Sequence, residues 1–385
     1  MCGICGKINF TGKPVEEGLL RAMAETLTHR GPDDEGVYIG GSVGLGHRRL
    51  SVIDLSKAAH QPMANEDETL WIVYNGEVYN FEELKEELLA KGHRFRSHSD
   101  TEVILHLYEE EGAKSVERLR GMFAFAIWDT KKKELFLARD RTGQKPLFYR
   151  IDDKDETFHF ASEIKAILKD PTVKARPDLT AIDHYMTWQC VPAPYSAFEG
   201  IEKLPPAHYM TVKDGKATLT RYWKLNYTPK LDMTESEIKS KLVYDMREAV
   251  KLRMISDVPL GAFLSGGVDS SAVVALMAEV SNQPIKTFAI GFKDAAYNEL
   301  SYAKIIAERF KTNHTEFIIE PNALEILPKL VWHYGEPFAD SSAIPTYYVS
   351  QLARDKVTVA LNGDGGDESF AGYERYMANE LSDRI

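Results

Sequence analysis

GAFLSGGVDSSAVVALMAEV, residues 261–280, reads as an apolar strand, a glycine-rich turn and an apolar helix in immediate succession. Two glycines let the backbone turn tightly and approach a ligand closely. The hydroxyls and amides that follow face an anion at a helix N-terminus, where the helix dipole favours negative charge. Asp269 adds a carboxylate suited to Mg²⁺, which binds through one or two carboxylates plus phosphate oxygens. The chain contains no G-x-x-x-x-G-K-[ST], so this is not a Walker loop. The bland alternative is a Gly-Gly turn that only joins strand to helix.

The surroundings favour a site. KTFAIGF (286–292), HTEFII (314–319) and VTVAL (357–361) are short apolar runs separated by helical stretches such as ELSYAKIIAERF (299–310). This alternation predicts a parallel, doubly wound sheet, in which ligands bind beyond the carboxyl ends of the strands. NGDGGDE (362–368) follows VTVAL as a second glycine-rich loop. Its Asp364, Asp367 and Glu368 repel one another unless a cation or a positive substrate group lies among them.

Upstream of about residue 225 the rhythm differs. VYIGGSVGLGHRRLSVID (37–54), LWIVYNG (70–76), FAFAIWD (123–129), ELFLARD (134–140) and PLFYRI (146–151) are rich in β-branched and aromatic residues. WDTKKKELF (128–136) predicts a hairpin with a polar turn. Helices are expected at about 15–29, 81–91 and 101–111, the second with Asn80 and Glu83 as a capping box. Strand clusters with intervening helices imply stacked antiparallel sheets covered by helices. The proline-rich 191–209 stretch is irregular, and LNYTPKLDMTESE (225–237) is the expected linker. Thr234 and Glu237 form another capping box, after which Ile238, Leu242, Val243, Met246, Ala249 and Val250 share one helical face.

A length of 385 residues suits two domains, and 44% hydrophobic with 27% charged residues is ordinary for a globular chain. A net charge of −11 argues against a general nucleic-acid binder and against an anionic membrane surface. Neither a spanning apolar run nor a signal-peptide pattern is present, and three cysteines make no disulfide framework, so a reducing cytoplasm is expected.

Two of those cysteines open the chain in MCGICG (1–6). The C-x-x-C spacing admits a redox pair or half a zinc site, but no second C-x-x-C and no H-x(3–5)-H pair follows. An inert buried pair is a third reading. The fourth starts from loss of Met1, favoured before a small residue, which leaves the Cys2 thiol beside its own α-amine as an N-terminal nucleophile.

SGGVDSS (265–271) resembles the pyrophosphate loop of the N-type ATP pyrophosphatases. Cys2, HRGPD (29–33), RLSVID (49–54), YNGEVYN (74–80), SDTEVI (99–104), GMFAFAIWD (121–129) and LARDRTGQKPLFY (137–149) together resemble a class II glutamine amidotransferase. The two in this order, over nearly the whole chain, are similar to the family of glutamine-hydrolysing asparagine synthetases. That resemblance implies an α+β N-terminal-nucleophile αββα sandwich over residues 1–225. A doubly wound α/β ATP pyrophosphatase domain then covers 226–385.

In the first domain the resemblance makes Cys2 the nucleophile, with Asn75 and Gly76 stabilising the oxyanion. Arg49 grips the glutamine carboxylate, Leu50, Ser51, Val52 and Ile53 line its site, Asp100 pairs with the α-ammonium, and Glu77 lines the pocket. In the second, Ser265, Gly266, Gly267, Asp269 and Ser270 hold pyrophosphate, with Mg²⁺ at Asp269 and Asp367. Phe263, Leu264 and Ile290 line the adenosine pocket, Asn362 and Gly363 contact ATP, and Asp364 serves adenylate formation. Implied substrates are glutamine, aspartate and ATP, and homodimers are common in the family. Family members usually carry Ser at position 362, often carry Glu at 364, and continue well past the acidic loop. A C-terminally truncated second domain is therefore expected. The alternatives are another carboxylate acceptor, glutaminase activity alone, or a non-catalytic interaction protein.

Overall fold

The structure, a computed structural model, describes residues 1–152, 154–292, 298–320 and 322–382. Its packing divides the chain into two units: Met1–Pro229 with Pro328–Asp340, and Lys230–Leu327 with Ser341–Ile385.

In the first unit the strands are β1 (Gly3–Asn9), β2 (Asp34–Gly40), β3 (Val43–Arg49), β4 (Met63–Ala64), β5 (Leu70–Val78) and β6 (Gly121–Asp129). They continue with β7 (Glu134–Arg139), β8 (Phe148–Asp152), β9 (Thr157–Ala161), β10 (Glu202–Lys203), β11 (His208–Lys213) and β12 (Lys216–Arg221). Among the described residues they form two six-stranded sheets, ordered β10-β8-β9-β1-β3-β2 and β12-β11-β7-β6-β5-β4. The pairings are antiparallel.

Period-two alternation along the strands sends one side-chain set between the sheets. There Ile4, Ile8, Val43, Leu45, Phe158 and Phe160 of the first sheet meet Val73, Ala124, Ala126, Leu135 and Leu137 of the second. On the outer face of the first sheet, Cys5 and Ala161 pack with Leu20 and Met23 of helix Glu17–Glu25 and with Ile164 and Ile167 of the short helix Ile164–Ile167. On the second sheet, the ring of Tyr108 in helix Asp100–Glu111 lies 5.0 Å from that of Phe136. The result is the expected αββα layering, built from burial on both faces of each sheet.

The second unit contains β13 (Leu260–Phe263), β14 (Lys286–Phe292), β15 (Asn313–Ile319) and β16 (Val359–Leu361). All pair in parallel, in the order β15-β14-β13-β16. Ala262, Ala289 and Leu361 pack with Val274, Met277 and Ala303 on one face, while Phe288 packs with Val349, Ala353 and Val357 on the other. Helices on both faces make the sheet doubly wound. Strand order reverses between β13 and β16, and SGGVDSS and NGDGGDE leave from those two strands. Both loops therefore lie at the topological switch point, where doubly wound sheets hold ligands.

Local expectations fared unevenly. The Thr234–Glu237 capping box forms. Asn80 precedes helix Phe81–Ala90 but does not cap it. Its amide instead bridges to another loop, donating to Arg118 O and accepting from Arg120 N. The first helix spans only Glu17–Glu25 before giving way to turns. Among the described residues no helix is long and apolar enough to cross a membrane.

Candidate functional site

Strand geometry separates the two N-terminal cysteines. Ile4 and Ile8 point between the sheets, whereas Cys5 points out among Leu20 and Met23. Cys2 has the parity of Ile4, so a three-residue spacing on a strand puts the two thiols on opposite faces. Both are free thiols, and burial pushes Cys5 up to about 12. The redox-pair and shared-metal readings of C-x-x-C fail on this geometry, and Cys5 is a small core residue.

The Cys2 thiol sits against the residue that follows β3: Leu50 N donates to Sγ at 3.4 Å, and Sγ lies 3.7 Å from Leu50 O. Burial raises the thiol above its ordinary value, while the positive amine of residue 1, the Leu50 N–H and Arg49 pull it down. Arg30 holds the other side of the residue, Nε donating to Cys2 O at 2.9 Å. The HRGPD turn carrying Arg30 lies tight against β3. A Cβ on Gly31 would stand 2.2 Å from the Arg48 carbonyl carbon, so only glycine fits.

Arg30 is fixed in turn by Glu163, 3.0 Å from Nη1, which also meets His29 at 2.9 Å and Lys165 at 2.5 Å. Burial opposes ionisation of Glu163, but His29, Arg30 and Lys165 overcome it and hold the carboxyl down to about 2. The unfolded carboxyl titrates near ~4.3, so the stabilisation is complete above that pH and is lost as pH falls toward the folded value. Glu163→Gln is expected to lower the unfolding free energy at neutral pH by roughly 1–3 kcal/mol. Urea melts at several pH values should show the gap to the parent closing toward pH ~2–3, where the parent carboxyl is itself protonated.

Across the sandwich, β5 lies against β1. Trp71 and Val73 face the intersheet core, so Asn75 and Glu77 continue the same face at the strand's end. Asn75 is fully buried, yet neither its amide oxygen nor its amide nitrogen has a hydrogen-bond partner. An orphaned buried amide costs about 1–3 kcal/mol, a cost that a ligand pairing with it would recover. Gly76 next to it is obligatory, since a Cβ there would stand 2.2 Å from Met122 O.

Asp100 is buried, its Oδ2 accepting from Tyr74 Oη at 2.7 Å and from Val78 N at 2.9 Å. Burial raises its carboxyl, and the Val78 N–H and Tyr74 hydroxyl oppose the rise. The helix N-cap is Ser99, which accepts from Thr101 N at 3.1 Å; Asp100 is the first helical residue and is left to its own partners. Arg49 is buried and not a surface ion pair. Its Nη1 donates to Ser56 O at 3.2 Å, and Nη2 to the carbonyls of Ile53 and Asp54. It thereby shapes the half-buried Leu50, Ser51, Val52 and Ile53 loop, in which Ser51 N donates to Asp33 Oδ2 at 2.9 Å.

Sequence reasoning missed Arg30, Tyr74, Glu163 and Lys145 as members of this constellation. Lys145 is buried with Nζ 2.7 Å from Met1 Sδ, and burial, then Arg30, pushes its amine down to about 8. It is coupled electrostatically to Cys2 and Glu77. The quoted motif LARDRTGQKPLFY contained it, but only the fold points its amine here.

In the second unit the two switch-point loops interlock. Ser265 Oγ and Ser270 Oγ are 2.9 Å apart, and Gly267 N donates to Ser265 Oγ at 3.2 Å at the start of helix Val268–Val280. Gly266 has φ +85°, and a Cβ there would stand 2.5 Å from the Tyr302 Cβ. A Cβ on Gly363 would lie 2.8 Å from Ser270 N, and one on Gly366 2.4 Å from the Asp269 carboxyl carbon. Missing side chains thus keep space beside Asp269, directly before Asp367. Asn362 Nδ2 donates to Asp364 Oδ2 at 2.6 Å. Leu264 is buried, while Phe263 and Ile290 are half-buried.

Residues 1–223 match the glutamine amidotransferase domain family and residues 242–385 match the asparagine synthase family. Asparagine synthetase [glutamine-hydrolyzing] 1 of Bacillus subtilis is 41% identical, over 98% of this chain and 59% of its own length. Putative asparagine synthetase [glutamine-hydrolyzing] 2 of Methanocaldococcus jannaschii is 42% identical, over 100% of this chain and 78% of its own length. Asparagine synthetase [glutamine-hydrolyzing] 3 of Bacillus subtilis is 37% identical, over 97% and 63% respectively. The chain thus spans about three fifths of the length of the two Bacillus proteins.

Proposed function

The chain belongs to the family of glutamine-hydrolysing asparagine synthetases, and on that premise we propose that it hydrolyses glutamine at Cys2 and uses the ammonia to amidate aspartate at the expense of ATP. The observation that carries the first half is the buried, unpartnered Asn75 amide on the inward face that Cys2 shares.

Loss of Met1 frees the Cys2 α-amine, whose pKa of about 7.7–8.0 suits it to accept the thiol proton near neutrality. The sulfur attacks the side-chain amide carbon of glutamine, and the oxygen becomes an oxyanion that Asn75 Nδ2–H and Gly76 N–H receive. The proton returns to the leaving nitrogen, and ammonia departs. Water then attacks the thioester, releasing glutamate and restoring the thiol. Asp100 pairs with the substrate α-ammonium. Arg49, with three of its five donors committed to carbonyls, offers the rest to the α-carboxylate.

In the second unit, Ser265, Gly266, Gly267 and Ser270 hold pyrophosphate oxygens of ATP at the helix N-terminus. Asp269 and Asp367 would hold Mg²⁺, which neutralises charge on the phosphates when bound. Phe263, Leu264 and Ile290 enclose the adenosine, Asn362 and Gly363 contact the nucleotide, and Asp364 serves formation of the β-aspartyl adenylate. Ammonia displaces AMP from that adenylate to give asparagine.

The test is one incubation of the chain with glutamine, with and without aspartate and Mg·ATP, following glutamate, pyrophosphate and asparagine together. Glutamate in every mixture, and asparagine with pyrophosphate only in the full one, is the expected result. Glutamate without asparagine reduces the reading to a glutaminase or to another acceptor. No glutamate from chain shown by mass spectrometry to lack Met1 overturns it.

A further inference from the structure

On the outer layer of the first unit, among residues given no role above, one ligand atom from each of Glu66, His93, His106 and Glu109 lies within 4.8 Å of all the others. Their orientation is specific. His106 Nδ1 is 2.6 Å from Glu109 Oε2 and 3.7 Å from Glu66 Oε2, and His93 Nδ1 is 3.7 Å from the same Glu109 oxygen. Tetrahedral bonds of about 2.0–2.1 Å place neighbouring ligand atoms about 3.3 Å apart. The widest separation, 4.8 Å, exceeds that spacing by about 1.5 Å, a distance within reach of side-chain rotation.

The surroundings prepare both imidazoles. His93 Nε2 is 3.1 Å from Glu110 Oε1, which puts the ring proton on Nε2 and leaves the Nδ1 lone pair facing the cluster. That carboxylate–histidine relay is the usual support behind a metal-bound ring. His106 is fully buried, Nδ1 directed into the cluster and Nε2 lying 3.8 Å from Glu102 Oε1. Glu102 is not available as a ligand. It accepts from Arg96 N at 2.8 Å, Ser97 N at 2.7 Å and Ser97 Oγ at 2.6 Å. Four carboxylates (Glu66, Glu102, Glu109, Glu110) thus face two histidines and Lys91, which pairs with Glu110 at 3.2 Å. Negative charge is in excess where the two Nδ1 atoms converge, and the proton that His106 Nδ1 shares with Glu109 Oε2 is the one a metal ion would displace.

The geometry points to a structural site for one divalent transition-metal ion, of which zinc fits best, held by Glu66, His93, His106 and Glu109. Two imidazoles with two carboxylates select such ions over Mg²⁺ or Ca²⁺, which take oxygen ligands throughout. Four protein ligands close the coordination shell, so the ion would clamp and not catalyse. It would join three segments: the turn between β4 and β5 (Glu66), the loop after helix Phe81–Ala90 (His93) and helix Asp100–Glu111 (His106, Glu109). The last begins at Asp100, and β5 carries Asn75, so the clamp steadies both walls of the glutamine site.

The experiment is calorimetric titration of chelator-stripped chain with Zn²⁺ at pH ~8, where protons compete less for the imidazoles. Parent, Glu66→Gln and His93→Gln are compared, with thermal melts of each with and without the metal. One zinc per chain, at least about tenfold weaker in each variant, with a zinc-dependent rise in melting temperature confined to the parent, is expected. Metal-free melts and circular dichroism matching the parent show that the variants fold. Cobalt substitution separates this site from the thiols: absence of a sulfur-to-metal charge-transfer band is expected. No binding, binding unchanged in the variants, or a thiolate band each overturns the assignment.

Discussion

Alanine at position 2 is expected to abolish glutamine hydrolysis, with glutamate release falling at least ~10⁴-fold to the background of the buffer. The sulfur is the only atom at that position able to form the thioester, and no neighbour replaces it. Cys5 is held on the opposite face of β1, so it cannot substitute. Stability should move by less than about 1 kcal/mol, because the thiol contributes little more than a weak contact with Leu50. Synthesis driven by added ammonia should persist, since the second unit has its own strands, core and loops. Cys2→Ser distinguishes nucleophilicity from shape: the alcohol fits but ionises far less readily, so its rate should lie near that of alanine. Full glutamate release from the alanine variant would remove Cys2 from the mechanism.

The second large effect is at Asn75. Replacing it by alanine should reduce kcat for glutamine hydrolysis by about 10²–10³, the measure of one lost oxyanion donor. KM should change far less, because the donor acts on charge that develops only in the transition state. A further observable separates this role from a structural one. Truncating a buried, hydrogen-bonded amide normally destabilises a protein. Here the amide has no partner to lose, so the melting temperature of Asn75→Ala should stay level or rise slightly. A large fall in stability together with activity would assign Asn75 to the fold instead.

The parallel sheet was legible because β13, β14 and β16 are short apolar runs bounded by turn residues, a pattern set by burial, while the edge strand β15, largely exposed or half-buried, adds only the apolar run at its end. The αββα layers were legible for the same reason, except where burial was not the organising force. Helix Leu179–Trp188 exposes Leu179, Met186 and Trp188 and has no clean apolar stripe, so periodicity passed over it. The capping pattern at Asn80 failed because a tertiary contact with the loop at Arg118–Arg120 took both ends of its side chain.

In the site, the residues proposed to touch substrate could be named from motif resemblance, whereas those acting through other residues could not. Arg30, Tyr74, Glu163 and Lys145 reach Cys2 or Asp100 only after distant strands pair. The Glu66–His93–His106–Glu109 group shows the same limit, since only His106 and Glu109 share a short helical spacing, while twelve residues lie between the two histidines and Glu66 comes from a separate turn.

The splitting of Cys2 and Cys5 across β1 also governs how the Cys2 thiol responds to oxidants. Many reactive thiols are rescued by a nearby second cysteine that converts a sulfenic acid into a reducible disulfide. The strand forbids that here, because turning Cys5 toward Cys2 would tear its side chain from the layer beneath helix Glu17–Glu25. A sulfenic acid at Cys2 must therefore be intercepted by a small thiol from solution, or advance to the irreversible sulfinic state. The same alternation that puts the two sulfurs on opposite faces leaves repair of Cys2 to the redox buffer around the protein.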